Sequence, residues 1–374
     1  MGGMMSFILD SLNFLKDDFD ITLWGVTSDN SILNEIKNEG NLYKVRSFSN
    51  VKTKNKVIPN LFKVIYGIWK FKKAIIRENY DVLYIHGIPL AFPFFSNKVK
   101  VVNHIHGLNN PYTLSSNVFI NNYLMIKAYD LYRSRVIRKS DLILLAADNE
   151  GGDLFVSNFP KDIYKIKQIP NFADSSIFKV LNKNETRKSL EGIGEKEYVI
   201  VNTGRICYGK DQVLLVKSFA YLINTLNINA KLVVIGDGDI EIFNEVNNII
   251  INEKIESSVI LTGKLDRKTI NLWLNASDLY VFTSMAEGYP ISLAESAMCG
   301  LPIVTTDVTG VHDLVINNYS GLLVKERKPK EIAKSIKIAL KNKNEFSKNI
   351  LKISKKYSPE VILNKVKENI NSII

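Results

Sequence analysis

Two carboxylates and the start of a helix carry the most legible chemistry of this chain. Glu287 and Glu295 have seven residues between them, in Glu287-Gly288-Tyr289-Pro290-Ile291-Ser292-Leu293-Ala294-Glu295. Pro290 suits the opening of a helix, because the N–H it lacks is one that a helix start leaves unpaired in any case. Gly300 and Pro302 suit its end. Glu287 then lies in the loop ahead of the helix and Glu295 lies inside it. A helix N-terminus offers unpaired N–H groups and about half a positive charge to a phosphate, and carboxylates accept hydrogen bonds from hydroxyls. One anion site beside two hydroxyl acceptors points to a sugar nucleotide.

The elements that must position these groups follow from hydrophobic patterning. Leu279-Tyr280-Val281-Phe282-Thr283 has the length and the aromatic and β-branched content of a buried strand. The order is thus strand, loop, helix, which places both glutamates at a strand's carboxyl end, where open α/β sheets bind ligands. Similar strands are predicted at 198–202, 231–235, 258–263 and 302–306 in the second half, and at 20–26, 81–85, 99–105 and 141–146 in the first. Their alternation with helical segments predicts an α/β protein with parallel sheets. At 374 residues, two domains are expected. The boundary falls after 173, with the polar stretch 182–197 as linker and surface turn, and the second domain runs from 174 to 357.

Composition narrows the classes. The chain is 46% hydrophobic and 23% charged, ordinary for a globular protein. It shows no apolar run near the ~18 residues of a membrane span and no secretory signal, which predicts a cytoplasmic location. Cys207 and Cys299 are too few for a disulfide framework, and no Cys/His grouping has structural-zinc spacing. A net charge of +11 suits phosphorylated ligands or an anionic membrane face. No nucleic-acid-binding motif accompanies it, so nucleic acid is not an expected partner. Basic and apolar residues interleave over 60–80 and 123–139. Each reads as a helix packed on a sheet with a basic outer face, with peripheral contact at the inner membrane face as the functional alternative.

The motif from Glu287 to Glu295, with Gly288-Tyr289-Pro290 after the first glutamate and Cys299-Gly300-Leu301-Pro302 at the helix end, resembles the signature of the retaining sugar-nucleotide glycosyltransferases of family four. That resemblance implies the GT-B fold, two Rossmann-like domains facing across a cleft. It also implies that Glu287 contacts the hydroxyls of the donor sugar and Glu295 the ribose. Thr203-Gly204-Arg205-Ile206-Cys207-Tyr208-Gly209-Lys210-Asp211 resembles the family's diphosphate loop, with Arg205 and Lys210 as its two cations. A guanidinium fork and a mobile ammonium suit a pyrophosphate whose charge rises as the bond to the sugar breaks. The donor site implied is Gly204, Arg205, Lys210, Glu287, Gly288, Tyr289, Pro290, Ile291 and Glu295.

The same resemblance extends through Ile169-Pro170-Asn171-Phe172-Ala173-Asp174, similar to the family's crossing segment with Phe172 in place of a glycine, and Gly310-Val311-His312-Asp313, similar to an acidic turn. In the first half His86-Gly87 and His106-Gly107 each end a strand, and His104-Ile105-His106-Gly107 resembles the motif whose histidine reaches the donor sugar, assigning that role to His106. Gly2 and Gly3 read as a turn before a helix beginning at Ser6, in the place of the family's loop near the diphosphate or acceptor. The strand that normally precedes that loop is missing, so either the natural chain starts upstream of Met1 or the first domain is weakened, and the start upstream is the reading taken.

The expected reaction moves a sugar with retention from a UDP-, GDP- or other nucleoside-diphosphate sugar to a hydroxyl of a glycan or lipid-linked acceptor, in cell-surface polysaccharide synthesis. The leaving oxygen helps to deprotonate the acceptor, the closing cleft excludes water, and no cofactor or metal is called for. Gly236-Asp237-Gly238-Asp239 is read as a strand-ending turn and not as a cation site. The helix over 358–374 is expected to cross back onto the first domain. A sugar-nucleotide 2-epimerase of the same fold, or a non-catalytic sugar-nucleotide-binding remnant, are the alternatives. A dinucleotide dehydrogenase is not the expected reading, because no strand is followed by Gly-x-Gly-x-x-Gly with an acidic residue at the expected distance.

Overall fold

A computed structural model describes residues 3–27, 33–38, 41–50, 60–91, 94–95, 98–108, 123–194 and 197–374. The chain divides into two compact units. Unit 1 holds residues 1–146, 152–169 and 363–374, and unit 2 holds 147–151 and 170–362.

In unit 1, helix α1 (Gly3–Leu15) buries Phe7, Leu12 and Leu15. Strands β1 (Leu23–Thr27), β2 (Leu33–Asn38) and β3 (Asn41–Asn50) form one sheet in the order β1-β3-β2. Here β1 is parallel to β3 but β2 is antiparallel to it, with Asn38 opposite Asn41. The expectation of parallel pairing throughout missed this hairpin, because its strands are too polar to stand out from loop. After helix α2 (Asn60–Arg77), strands β4 (Val82–His86), β5 (Lys100–Ile105), β6 (Leu142–Leu145) and β7 (Ile166–Gln168) form a parallel sheet in chain order. Helices α3 (Tyr123–Lys139) and α4 (Asn149–Ser157) lie between its later strands in sequence.

Unit 2 opens with α5 (Lys183–Lys188), a helix within the stretch expected to be linker. Asn182 caps it by accepting from the N–H groups of Asn184 and Glu185. The buried carboxylate of Asp278 then fixes it in place. That group takes Lys183 and Arg187, each at 2.6 Å, from α5 and Lys343 at 2.6 Å from beyond. Strands β8 (Tyr198–Thr203), β9 (Ala230–Ile235), β10 (Val259–Gly263), β11 (Leu279–Phe282), β12 (Ile303–Thr306) and β13 (Gly321–Val324) make one wholly parallel sheet. Its helices are α6 (Gln212–Asn224), α7 (Ile240–Asn252), α8 (Arg267–Ala276), α9 (Ile291–Met298), α10 (Pro329–Lys341) and α11 (Lys343–Ser354).

Strand residues alternate between two cores, as the pleat requires. Leu279 and Val281 join Ile200, Leu232 and Val304 under α6, α7 and α10, whereas Tyr280 and Phe282 join Val201, Val233 and Ile303 under α8, α9 and α11. Both faces of the sheet are therefore buried, which is why β11 reads as a continuous apolar run. Helix α12 (Pro359–Asn371) closes the chain. Its residues from 363 cluster with unit 1, where Leu363 and Val366 are buried and Lys367 pairs with Asp18.

Candidate active site

The strand order of unit 2 is β10-β9-β8-β11-β12-β13. From β8 the chain winds outward to β9 and β10, then returns to β11 on the other side and winds outward again. The reversal lies between β8 and β11, and a ligand crevice forms outside the carboxyl ends of strands at such a point. These two strands pair only at Leu279 with Ile200 and Tyr280 with Val201. Beyond that, side chains replace the ladder. Asn202 Nδ2 donates to the Val281 carbonyl at 2.8 Å, and the Tyr280 hydroxyl donates to the Thr203 carbonyl at 3.0 Å. Burial pushes the Tyr280 hydroxyl up to about 12, so it stays a donor.

The loop after β8 ends in a 3₁₀ turn, Tyr208–Lys210, and the loop after β11 carries Glu287. The two meet. Met285 N donates to the Gly209 carbonyl at 2.9 Å, and Thr283 Oγ1 reaches the carbonyls of Lys210 and Asp211 at 3.1 and 2.9 Å. Across this seam Lys210 Nζ sits 2.6 Å from Glu287 Oε1, with the carboxylate mostly buried. Arg205 is exposed on the same loop as Lys210, and its backbone carbonyl accepts from Gln212 Nε2 at 3.1 Å. Gly204, at φ 151°, lets the loop turn away from β8. A Cβ on Gly236 would meet the Gly204 carbonyl oxygen at 1.9 Å, so the loop after β9 packs backbone to backbone against it. In that second loop Asp239 caps α7 by accepting from Glu241 N at 3.0 Å.

Helix α9 begins at Ile291 with Pro290 as its N-cap residue. Its end has the predicted form: Gly300 adopts φ 72°, its N–H donates to Ala297 and that of Leu301 to Ser296. The helix start is pinned by Asn171, whose Nδ2 donates to the Tyr289 carbonyl at 2.6 Å. Tyr289 and Ile291 are buried. Glu295 lies a turn into α9, and its charge adds to the burial that raises both the Tyr280 hydroxyl and the Cys299 thiol.

A third loop backs Glu287. Thr309 Oγ1 donates to the Glu287 carbonyl at 3.2 Å, and Gly310, at φ 90°, packs so closely that a Cβ there would lie 2.3 Å from the Gly288 carbonyl oxygen. The Gly310 N–H donates to Asp148 at 2.7 Å. Asp148 is fully buried and also takes Gly151 N and His312 Nδ1, at 2.8 and 3.1 Å. His312 Nε2 contacts Asp307 at 2.7 Å, and Glu150 lies 3.0 Å from Nδ1. Burial lowers the His312 pKa, but the hydrogen bonds to Asp307 and Asp148 and the charges of Glu150 and Asp148 outweigh it, and the net shift is upward. Asp313, expected as the acidic member of this turn, accepts from Asn149 Nδ2 at 2.8 Å.

Seven of the expected residues lie on the loops after β8 and β11, Gly204, Arg205, Lys210, Glu287, Gly288, Tyr289 and Pro290, and two more, Ile291 and Glu295, lie in α9, which follows the second loop. Asp148, Asn171, Asp211, Thr283 and Arg327 also shape this site. Asn171, Asp211 and Thr283 lie within stretches singled out in the sequence, Asp211 with the further signal of a helix-capping aspartate ahead of an apolar run, whereas Asp148 and Arg327 lie in none.

The remaining expected residues belong to unit 1. Gly2 lies outside the described residues, and Gly3 starts α1, because the helical pattern begins before Ser6. His106 joins His86 and His104 on one face of β4 and β5. His86 Nδ1 lies 2.9 Å from His106 Nε2, and the Tyr84 hydroxyl lies 2.7 Å from His104 Nδ1. Phe7 packs edge-on against His104 and His106, at ring-centroid distances of 4.7 and 5.4 Å. Burial first, then the neighbouring His106, holds His86 and His104 well below the usual imidazole range, so both are neutral. A nitrogen from each of the three rings lies within 4.8 Å of the others, the one grouping among the described residues with the spacing to hold a metal ion.

Residues 183–357 match the family model described as glycosyl transferases group 1, and that segment belongs to this family. The chain as a whole has the GT-B fold. It is 24% identical over 273 residues to the Escherichia coli UDP-Gal:alpha-D-GlcNAc-diphosphoundecaprenol alpha-1,3-galactosyltransferase, an alignment covering 71% of this chain and 67% of that protein. With two further relatives the alignment covers 65% and 64% of their own length. Among solved structures, the sucrose-phosphate synthase of Thermosynechococcus elongatus superposes with a TM-score of 0.85 at 14% identity, covering 100% of this chain and 94% of that one. The Anabaena protein HepE, solved with UDP and glucose, gives 0.76 at 17% identity, covering 100% and 96%. No helix among the described residues is long and apolar enough to cross a membrane.

Proposed function

We propose that the protein transfers a sugar, with retention of configuration, from a nucleoside-diphosphate sugar to a hydroxyl of a glycan or lipid-linked acceptor in surface polysaccharide synthesis. The observation that carries this reading is the meeting of Lys210 and Glu287 at 2.6 Å across the β8–β11 reversal. Unit 2 holds the donor. Lys210, Arg205 and the first turn of α9 neutralise the diphosphate as the sugar leaves, Glu287 orients the sugar's hydroxyls, and Glu295 takes the ribose.

The leaving oxygen of the diphosphate accepts the acceptor hydroxyl's proton, so the bond to the sugar breaks and forms on one face and no enzyme nucleophile is used. His106, whose Nε2 lies 2.9 Å from His86 Nδ1, is the residue proposed to reach the donor sugar. Two cations on fixed loops do the electrostatic work here, and Asp239 of the acidic string is spent as a helix cap. The proposed reaction calls for no metal, and a lipid-linked acceptor would place it at the inner face of the membrane. The polyprenol-linked acceptor in the name of the E. coli relative supports this class of acceptor.

The test is an assay of UDP-, GDP- and ADP-sugars with a polyprenyl-diphosphate sugar acceptor, in EDTA, with the product anomer read by NMR. Transfer with retention is expected. A free epimerised sugar, or activity abolished by EDTA and restored by manganese, would overturn the reading.

A further inference from the structure

Lys210 and Glu287 sit on loops that leave different strands, so their separation depends on whatever ties those loops together. Two ties lie within the loops, the Met285–Gly209 backbone bond and the Thr283 hydroxyl. A third comes from elsewhere. Arg327 follows β13, at the sheet edge two strands beyond β11. Its Nη1 donates to the Ser284 carbonyl at 2.7 Å and its Nη2 to Asp211 Oδ2 at 2.5 Å.

Both acceptors are structurally committed. Ser284 is fully buried, and its carbonyl also accepts Thr306 Oγ1 at 2.7 Å. Asp211 adopts a left-handed φ of 50°, which a residue with a Cβ takes up only when its surroundings impose it. Its Oδ1 caps α6 by accepting Leu214 N at 3.1 Å. One carboxylate thus closes a helix through one oxygen and is held by Arg327 through the other. It stands next to Lys210, as Ser284 stands three residues before Glu287.

We infer that Arg327 is a positioning residue for transfer: it sets the spacing of Lys210 and Glu287 around the donor by bridging their two loops, without itself binding the donor. A guanidinium serves two acceptors at once in a fixed fork, whereas an ammonium reaches them as a single point. The inference rests on the donor-site reading above and adds a residue that lies outside both donor loops.

The experiment follows release of nucleoside diphosphate from UDP-glucose, GDP-mannose and ADP-glucose by the full chain and by Arg327→Gln, Arg327→Lys, Arg327→Ala and Lys210→Ala. For the sugar nucleotide that the wild type turns over, Arg327→Gln and Arg327→Lys are expected to lose at least about tenfold in kcat, with KM for the donor changed by less than about threefold. Misplacement of a charge by an ångström acts on the transition state more than on ground-state binding. Guanidinium ion is expected to restore part of the Arg327→Ala rate. A wild-type kcat in Arg327→Gln, or an Arg327→Ala loss that guanidinium leaves unchanged, would overturn the inference. If Lys210→Ala keeps the wild-type rate, the donor-site reading itself fails; if Lys210→Ala is crippled and Arg327→Gln is not, only the role of Arg327 fails.

Discussion

Lys210 Nζ and Glu287 Oε1 lie 2.6 Å apart although they are 77 positions apart in the chain. Each neutralises the other where the two halves of a parallel sheet part; on the proposed reading, an incoming diphosphate would exchange one anion for another at Lys210 and free Glu287 for a hydroxyl. Lys210→Ala or Glu287→Gln should each lower turnover by well over tenfold, the scale of a lost transition-state charge stabiliser. The double variant should fall short of the product of the two losses, because the residues share one interaction. Steady-state rates of the three variants check this, and strict multiplicativity would separate the two roles.

Gly310 gives a prediction about packing. Alanine there must hold φ 90° and clear a carbonyl oxygen that its Cβ would approach to 2.3 Å. Gly310→Ala should cost about 1–3 kcal/mol and displace Gly288 together with Glu287. Thermal unfolding combined with donor turnover measures both, and an unchanged midpoint at wild-type turnover would show that the loop gives way freely.

His312 gives a prediction about pH. Its folded pKa lies above the ordinary 6.5, so its contribution to stability is complete below that value and is lost as pH rises through the raised folded pKa. The groups responsible are Asp307, Asp148 and Glu150. The melting temperature of the wild type should therefore fall more steeply from pH 6.5 upward than that of His312→Gln. Parallel slopes would mean that the imidazole is not charged in this nest of carboxylates.

On α2, Ile68 and Ile75 face inward, while Tyr66, Trp69, Lys70, Lys73 and Arg77 share the outer face, with Tyr66 72% and Trp69 51% exposed. Aromatic and basic residues on one face suit the interface of an anionic bilayer. The protein should co-sediment with phosphatidylglycerol vesicles in preference to phosphatidylcholine, and Trp69→Ala combined with Lys70→Ala and Lys73→Ala should reduce that preference at least tenfold, from about 1 kcal/mol per surface-adjacent cation. Equal binding to both lipids would remove the membrane contact.

What the sequence disclosed depended on whether the signal was local. The β11 strand, the start of α9 at Pro290 and its end at Gly300 are each specified within a few residues by burial, ring geometry and positive φ, and all three were legible. The β2–β3 hairpin was not, since neither strand has a clean apolar alternation, and α5 hid in a polar stretch whose fixing partner, Asp278, lies some ninety residues on. Arg327 and Asp148 were invisible for the same reason. Their acceptors and donors come from loops brought together only by strand order, and an isolated arginine after β13 has nothing in its neighbourhood to distinguish it from the surface lysines around it.

The central claim is that the loops after β8 and β11 form a diphosphate site, and the most direct measurement is calorimetric titration of UDP, GDP and ADP into the wild type and into an Arg205→Ala, Lys210→Ala double variant. At least one nucleotide should bind the wild type and lose at least about tenfold in affinity in the variant, from the removal of two charge-assisted contacts. Equal affinity in the two proteins, or no binding of any nucleoside diphosphate to the wild type, would contradict it.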